Sequence, residues 1–233
     1  MELSIITDDT SVKLPIFNKW KLKYSVGIDI RMDSKIKLLL SEHNINYPTN
    51  DIENELLFKK ILRDFLRPAI QMYGGMFTEV RHFAQKISPL IPTKIYFVSG
   101  RYGLIPENQE IIPYYYQIET LNDVEVVDKK FNIKEKIQNL IEKSDVIIFF
   151  LPKHYIAYLV KKDFFKEFLF NSYLIIVSSD EYRDYFLQFQ NVLFLNRIGV
   201  ARIGKKNRET ILKFLEQQVR MKSSYSFISH KKK

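Results

Sequence analysis

Four short, wholly apolar runs constrain the fold of this chain more than any other feature. Each run has the length of a strand, is rich in β-branched and aromatic residues, and lacks alternation with polar residues. This composition is typical of strands that are buried on both faces, as in a parallel sheet. The runs are Ile95–Ser99, Val146–Leu151, Leu174–Ser178 and Val192–Asn196.

Segments with helical periodicity alternate with these runs, which predicts an α/β domain. They are Asp51–Leu66, Met76–Ile87, Asn132–Lys143, Tyr155–Phe170, Asp180–Phe189 and Lys205–Met221. With Ile36–Leu40 as a fifth strand, we expect a mostly parallel, Rossmann-like sheet of about five strands flanked by helices.

The two ends of the chain have a different character. Leu3–Ile6 and Lys21–Ile30 suggest an antiparallel pair, so residues 1–34 are predicted to form an N-terminal extension. Residues 35–222 would form the α/β domain. Residues 223–233 lack periodicity and are predicted to be a flexible basic tail.

Composition excludes several kinds of chemistry. The absence of cysteine excludes disulfides, thiolate nucleophiles, iron–sulfur clusters and cysteine-based zinc sites. The four histidines lack metal-ligand spacing, so we expect no metal and no cofactor. The apolar runs are too short to span a bilayer, and the N-terminus does not resemble a signal peptide. We therefore expect a cytoplasmic protein without a membrane partner.

Polar and basic side chains follow each apolar run. In open α/β sheets, ligands bind at the carboxyl ends of the strands, where these side chains would converge. The resulting candidates for ligand binding are Ser99, Gly100, Arg101, Tyr102 and Gly103 after the first run, Lys153 and His154 after the second, and Arg197 after the fourth.

The loop from Ser99 to Gly103 has two interpretations. Its glycines would let the backbone approach a ligand, Arg101 would pair with a phosphate or carboxylate, and Tyr102 would stack on a base. An ordinary turn with a surface arginine and a half-buried tyrosine explains the same residues. The loop matches no standard nucleotide-binding motif.

Positive charge is concentrated at the C-terminal end. Residues 201–233 hold 10 basic and 2 acidic side chains, which is +8 of the net +9. Arg202, Gly204 and Lys205 precede or open the last helix, where cations oppose the helix dipole unless an anion binds there. A solvated basic turn and a solubilising tail are the alternatives.

Several of these residues stand in an order that resembles a known family. The segment Arg67–Phe77 (RPAIQMYGGMF) is followed by Ile95–Ser99, then by Tyr102-Gly103-Leu104-Ile105-Pro106 and Ile112-Pro113-Tyr114. This order resembles the uncharacterised domain family allied to the YaaA peroxide-stress proteins, with a looser similarity to the core domain of archaeosine synthases. The resemblance covers residues 67–120 best. It departs at residues 1–34 and at Asp51–Leu66, which lie outside the family pattern.

The resemblance implies an α/β domain linked to nucleic acids, and it adds Tyr73, Gly75 and Tyr114 to the candidate ligand-binding residues. We therefore expect a nucleic-acid-associated protein, with DNA or RNA as partner, that binds a nucleotide or base at the strand ends. Two alternatives stay open. One is an enzyme that modifies or hydrolyses a nucleobase or nucleoside, with Glu79, Glu110, His154 or Asp180 as acid–base group. The other is a nucleotide sensor or interaction module.

Overall fold

The computed structural model describes residues 1–11, 13–15, 27–166, 172–199 and 202–230. The strands are β1 (Leu3–Asp8), β2 (Lys13–Pro15), β3 (Gly27–Ile28), β4 (Arg67–Pro68), β5 (Thr93–Ser99), β6 (Gly103–Pro106), β7 (Glu110–Ile111), β8 (Val146–Phe150), β9 (Tyr173–Ser178) and β10 (Val192–Asn196). The α-helices are α1 (Ser34–Glu42), α2 (Glu55–Ile61), α3 (Ala69–Met72), α4 (Phe77–Ile87), α5 (Leu121–Phe131), α6 (Ile133–Lys143), α7 (Lys153–Lys161), α8 (Arg183–Leu187) and α9 (Lys205–His230).

Six strands form the central sheet in the order β10-β9-β8-β1-β5-β6. All pairs are parallel except β5 with β6, which are antiparallel. The four apolar runs form β5, β8, β9 and β10, so the predicted mostly parallel α/β fold is confirmed. The five parallel strands follow the 2-1-3-4-5 order of doubly wound sheets.

The prediction for the N-terminal residues Leu3–Ile6 was wrong. This segment belongs to β1, which lies in the middle of the sheet and pairs in parallel with β5 and β8. Polar residues interrupt the run but have partners inside the protein: the Ser4 hydroxyl bonds that of Ser144 at 2.8 Å. An extension does exist after β1, where β2 and β3 form a small antiparallel pair. Most of the predicted strand Lys21–Ile30 lies outside the described residues.

Helices cover both faces of the sheet. Apolar residues of α1, α4 and α9 pack on one face, and those of α5, α6, α7 and α8 pack on the other. The prediction of a strand at Ile36–Leu40 was wrong, because Asp33 caps α1 there by accepting a hydrogen bond from the Ile36 amide. Ile36 and Leu40 are four residues apart and both face the core, which is helical spacing.

Other helix boundaries differ from the predictions. The segment Asp51–Leu66 is broken into α2 and two short 3₁₀ turns, Ile52–Asn54 and Arg63–Phe65. The last helix, α9, continues to His230 and thus enters the segment that was predicted to be an irregular tail.

Candidate functional site

The carboxyl ends of β1 and β8 meet at the point where the strand order reverses. From β1 the chain continues to β5 on one side, and from β8 it continues to β9 on the other. In doubly wound sheets, the diverging connections at such a point leave a crevice above the two neighbouring strands, which is the usual ligand site. We use the name "crevice" for the space at the carboxyl ends of β1 and β8. Asp8 and Asp9 stand at the end of β1, and Tyr155 lies in the first turn of α7 after β8.

Arg202 closes one side of this crevice. Its Nη1 donates to Thr7 Oγ1 at 2.6 Å and to the Asp8 carbonyl oxygen at 2.8 Å, and its Nη2 donates to the Asp9 carbonyl oxygen at 3.0 Å. Its Nη2 also lies 3.0 Å from Asp8 Oδ2, and the side chain is only 6% exposed. Arg202 was predicted to bind a ligand. In the structure, its guanidinium joins the segment before α9 to the end of β1.

A hydrogen-bond network beside Asp9 fills the α4 side of the crevice. The Tyr114 hydroxyl lies 2.7 Å from those of Tyr73 and Ser99 and donates a short hydrogen bond to Asp9 Oδ2. Ser99 Oγ accepts the amides of Arg101 and Tyr102 at 3.2 and 3.1 Å. Because both of its lone pairs are used, its proton points to Tyr114. The predicted ligand-binding residues Tyr73, Ser99 and Tyr114 are thus buried and bonded to one another.

Lys13 is buried next to this network. Its Nζ donates to the Thr10 carbonyl oxygen at 2.6 Å and lies 4.0 Å from the centre of the Tyr114 ring. Burial lowers the pKa of Lys13, and the charge of Asp9 opposes that shift. Burial likewise raises the pKa of Asp9, while Lys13 and the bond from Tyr114 oppose it. Each charge therefore stabilises the other at a position where burial disfavours the charged forms of both side chains.

The α7 side of the crevice differs, because three of its polar atoms lack partners among the described residues. Asp8 Oδ1, the Tyr155 hydroxyl and Ser178 Oγ are buried and have no hydrogen-bond partner within the described part of the chain. Burial raises the pKa of Tyr155 well above its usual value, and the carboxylates of Asp9 and Asp8 add to the shift. The Tyr155 hydroxyl therefore lies within electrostatic range of the two aspartates.

Asp8 and Ser178 point to the same face of the sheet as α7. Each stands two residues after an isoleucine that packs in the α5–α8 layer, Ile6 and Ile176 respectively, and strand side chains repeat every two residues. Burial raises the pKa of Asp8 to about 6, although Arg202 opposes the shift. An unpartnered buried polar group destabilises a fold by about 1–3 kcal/mol. The arrangement is therefore suited to a polar ligand that supplies hydrogen bonds to a carboxyl and two hydroxyl groups.

Arg101 does not face the crevice. Its guanidinium is 0% exposed and is held by Asp51 Oδ1 at 2.5 Å, Glu55 Oε2 at 2.9 Å and the Thr49 carbonyl oxygen at 2.6 Å. Tyr102 donates to Glu55 Oε1 at 2.9 Å instead of presenting its ring for base stacking. Both residues therefore anchor the segment around α2, and neither is available for the predicted contacts with a phosphate or base.

The glycines of the same loop approach side chains of the protein itself. A Cβ at Gly100 would lie 2.4 Å from the Tyr116 ring, and one at Gly103 would lie 2.5 Å from Phe131 Cβ. Gly103 also has a φ of +71°. Close approach is thus the reason for these glycines, as expected, but their neighbours are aromatic residues rather than a ligand.

The remaining predicted residues are spread along the strand ends. Lys153 is 64% exposed and pairs with Glu181 at 2.9 Å. His154 bonds the backbone of Ile118, and burial lowers the pKa of His154.

The other predicted residues lie near the ends of β10 and the starts of α4 and α9. Arg197 donates its amide to the Ser178 carbonyl oxygen at 2.7 Å, which places Arg197 beside the atoms that lack partners in the described chain. Gly75, with φ +60°, precedes α4, and nothing lies within 4 Å of a Cβ built at Gly204. Lys205 is exposed at the first residue of α9.

Asp8, Asp9, Lys13, Tyr155 and Ser178 were not among the predicted site residues. One signal could have found the two aspartates: they directly follow the run Leu3–Thr7, and a parallel strand there would place them at the carboxyl edge. Among the described residues, no group of three or more His, Cys, Asp or Glu side chains is arranged to hold a metal ion. None of the described helices is both long enough and apolar enough to cross a bilayer.

The chain matches no protein-family model, no curated protein and no solved structure. The resemblance to the family allied to the YaaA proteins therefore stays a sequence-based prediction.

Proposed function

We propose that this chain is a nucleic-acid-associated α/β protein that binds a base, nucleoside or nucleotide in the crevice between β1 and β8. The observation that carries the proposal is the set of three buried polar atoms there that have no partner among the described residues: Asp8 Oδ1, the Tyr155 hydroxyl and Ser178 Oγ. A ligand that bonds these atoms removes the penalty of leaving them unsatisfied.

The chemistry of these atoms selects the class of ligand. A carboxylate accepts hydrogen bonds from sugar hydroxyls or from the amino groups of bases, as acidic residues do at the strand ends of dinucleotide-binding folds. The hydroxyls of Tyr155 and Ser178 both donate and accept, so they suit the mixed edge of a nucleobase. The positive C-terminal end, at +8 over residues 201–233, supports an anionic ligand attached to that base or sugar.

One observation favours an enzyme as the second candidate. Burial raises the pKa of Asp8 to about 6, so this carboxyl exchanges its proton close to neutral pH. A carboxyl of that kind is suited to general acid–base catalysis on a nucleobase or nucleoside. Product analysis after incubation with nucleosides tests this candidate, with Asp8→Asn as the inactive control.

The binding test uses isothermal titration with the four ribonucleosides and their 5′-monophosphates. At least one should bind, and Tyr155→Phe and Ser178→Ala should each weaken binding about tenfold, which is the effect of one lost hydrogen bond of ~1.4 kcal/mol. Tyr185→Phe is the matched control. It also removes a buried hydroxyl that has no partner in the described chain, but its surroundings are Lys166 and Asp163, away from the aspartates.

Two outcomes would overturn the proposal: no member of the panel binds, or Tyr155→Phe and Ser178→Ala bind as tightly as the unmodified protein. If nucleotides bind in the predicted way but single-stranded DNA and RNA do not, the sensor alternative replaces the nucleic-acid association.

A further inference from the structure

A basic groove runs between α4 and α9, on the sheet face opposite α7. It encloses a cavity of about 360 Å³ whose lining includes Phe83 and Leu212. We use the name "basic groove" for the cavity bounded by His82 and Lys86 on α4 and by Lys205 and Arg208 on α9.

Helical spacing explains why these side chains meet. His82 and Lys86 are four residues apart on α4, and Lys205 and Arg208 are three residues apart on α9, so each pair lies on one helix face. Two such faces turned toward each other bring three permanent cations and a histidine to one cavity. This arrangement concentrates positive charge in a concave site.

The described part of the chain does not neutralise this charge. Lys86, Lys205 and Arg208 form no ion pair with any carboxylate of the described residues, although Glu209 also borders the groove. Elsewhere on the surface, cations commonly have acidic partners, such as Lys153 with Glu181. Mutual repulsion and the positive end of α9 both oppose this clustering, so an external anion would stabilise it.

The groove begins close to the crevice. Arg202 bonds the carbonyl oxygens of Asp8 and Asp9, and Lys205 follows it by three residues, a backbone span of at most about 10 Å. An anionic chain that lies in the groove can therefore extend to the carboxyl end of β1, where it must cross the edge of the sheet above Arg202 to reach the α7 side of the crevice. A nucleic-acid strand fits this layout because its phosphates repeat next to bases.

We propose that the basic groove binds successive phosphates of one single nucleic-acid strand, one of whose bases enters the crevice beside Asp8. The placement of the base rests on the function proposed above, whereas the phosphate contacts depend on the groove alone. A single strand is required because a base inside a duplex is stacked and paired, and cannot reach the buried atoms of the crevice.

The experiment measures binding of fluorescein-labelled 12-nucleotide DNA and RNA by fluorescence anisotropy between 50 and 200 mM salt. The test variant is Lys86→Glu/Lys205→Glu, which reverses two exposed charges of the groove. Lys136→Glu/Lys143→Glu is the matched control, because it reverses two exposed lysines near the start and the end of α6, on the opposite face of the sheet. Arg208→Gln is a second test variant that changes the charge less.

We expect the groove variant to lose at least about tenfold in affinity and the control variant to keep the affinity of the unmodified protein. The slope of log affinity against log salt should become shallower by about 1.4 in the groove variant, since each lost phosphate contact removes ~0.7 on a single strand. Equal losses in both variants, or none in the groove variant and Arg208→Gln, would overturn the inference. Tighter binding of duplex than of single strands, or equal competition by polyglutamate of matched charge, would also overturn it.

Nucleoside binding separates this inference from the function proposed above. The groove variant should bind free nucleosides normally, because it leaves the crevice intact. If nucleosides bind but oligonucleotide affinity does not depend on the groove, only the groove inference fails. If oligonucleotides require the groove but no nucleoside binds, the phosphate contacts stand and the crevice proposal fails.

Discussion

Arg202 and Asp8 form an ion pair at the end of the central strand, with Arg202 Nη2 3.0 Å from Asp8 Oδ2. The pair joins a residue next to the last helix to the first strand of the sheet. It uses only one carboxylate oxygen, so Asp8 Oδ1 stays unbonded within the described chain. Asp8 thus has a structural contact on one side and faces the candidate ligand site on the other.

Removing Arg202 should destabilise the fold strongly. We expect Arg202→Met to lower the free energy of unfolding by about 3–5 kcal/mol, because the Asp8 carboxylate remains buried without its cation. Urea unfolding measures the change. The exposed pair of Lys35 and Asp64 provides the control, since Lys35→Met should cost below about 1 kcal/mol. Equal effects of the two substitutions would contradict a structural role for Arg202.

The titration of Asp8 should make stability depend on pH. Its pKa is 3.8 in an unfolded chain and about 6 in the fold, so between these values the folded protein binds more protons than the unfolded chain. The contribution of Asp8 to the free energy of unfolding is therefore fully present below about pH 4. It is lost as pH rises through about 6, and the total loss is at most ~3 kcal/mol. Asp8→Asn should remove this component. Unfolding of both proteins from pH 4 to 7 provides the measurement, and a constant difference between them would refute the assignment.

Two tyrosines of the crevice should respond oppositely to loss of the hydroxyl. Tyr114→Phe removes the hydroxyl that donates to Asp9 and accepts from Tyr73 and Ser99. We therefore expect the free energy of unfolding to fall by about 1–3 kcal/mol. Tyr155→Phe removes a buried hydroxyl without a partner in the described chain, so ligand-free stability should rise by up to about 1–3 kcal/mol. Thermal and urea unfolding test both. A similar loss in the two variants would show that the Tyr155 hydroxyl is bonded in the fold.

The guanidinium of Arg101 should not be replaceable by an amine. Five donor contacts to Asp51, Glu55 and Thr49 use the planar geometry of arginine. We expect Arg101→Lys to cost about 2–4 kcal/mol, whereas Arg183→Lys, at an exposed pair with Asp180, should cost below about 0.5 kcal/mol. Urea unfolding distinguishes the two results, and a neutral Arg101→Lys would show that charge alone suffices.

Gly103 and Gly204 should differ in their tolerance of alanine. A Cβ at Gly103 would overlap Phe131 Cβ in a backbone with φ +71°, so Gly103→Ala should cost about 2–4 kcal/mol. Nothing lies within 4 Å of a Cβ at Gly204, so Gly204→Ala should stay within about 1 kcal/mol. Thermal unfolding gives both values. If Gly103→Ala is as stable as the unmodified protein, Phe131 must move more freely than the packing indicates.

Parts of the fold could be predicted because they depend on local composition. The runs that form β8 and β9 bury side chains on both faces, whereas β10, at the edge of the sheet, fully buries only Phe194; no polar residue interrupts the three runs. The prediction for β1 was wrong because the polar residues Ser4 and Thr7 make its sequence resemble that of a half-exposed strand. Their hydroxyls bond Ser144 and Arg202, residues far along the chain, so the pairing that permits their burial has no local signal.

The sequence also predicted that the candidate site lies at the carboxyl edge of the sheet, but it did not predict which side chains line that site. Arg101 and Arg202 look equivalent as basic residues after strands, yet Arg101 is held by Asp51 and Glu55, and Arg202 closes the crevice. The difference depends on which carboxylates and carbonyl groups are brought near each guanidinium.

Residue identity alone determined that the chain forms buried parallel strands with helices between them, because β-branched runs and helical periodicity act over a few residues. Strand order, the central place of β1 and the unpartnered atoms of Asp8, Tyr155 and Ser178 depend on the assembled sheet. Backbone hydrogen bonds between strands do not depend on the identity of the side chains. Only packing of the whole core therefore selects which strands are neighbours and which polar groups remain for a ligand.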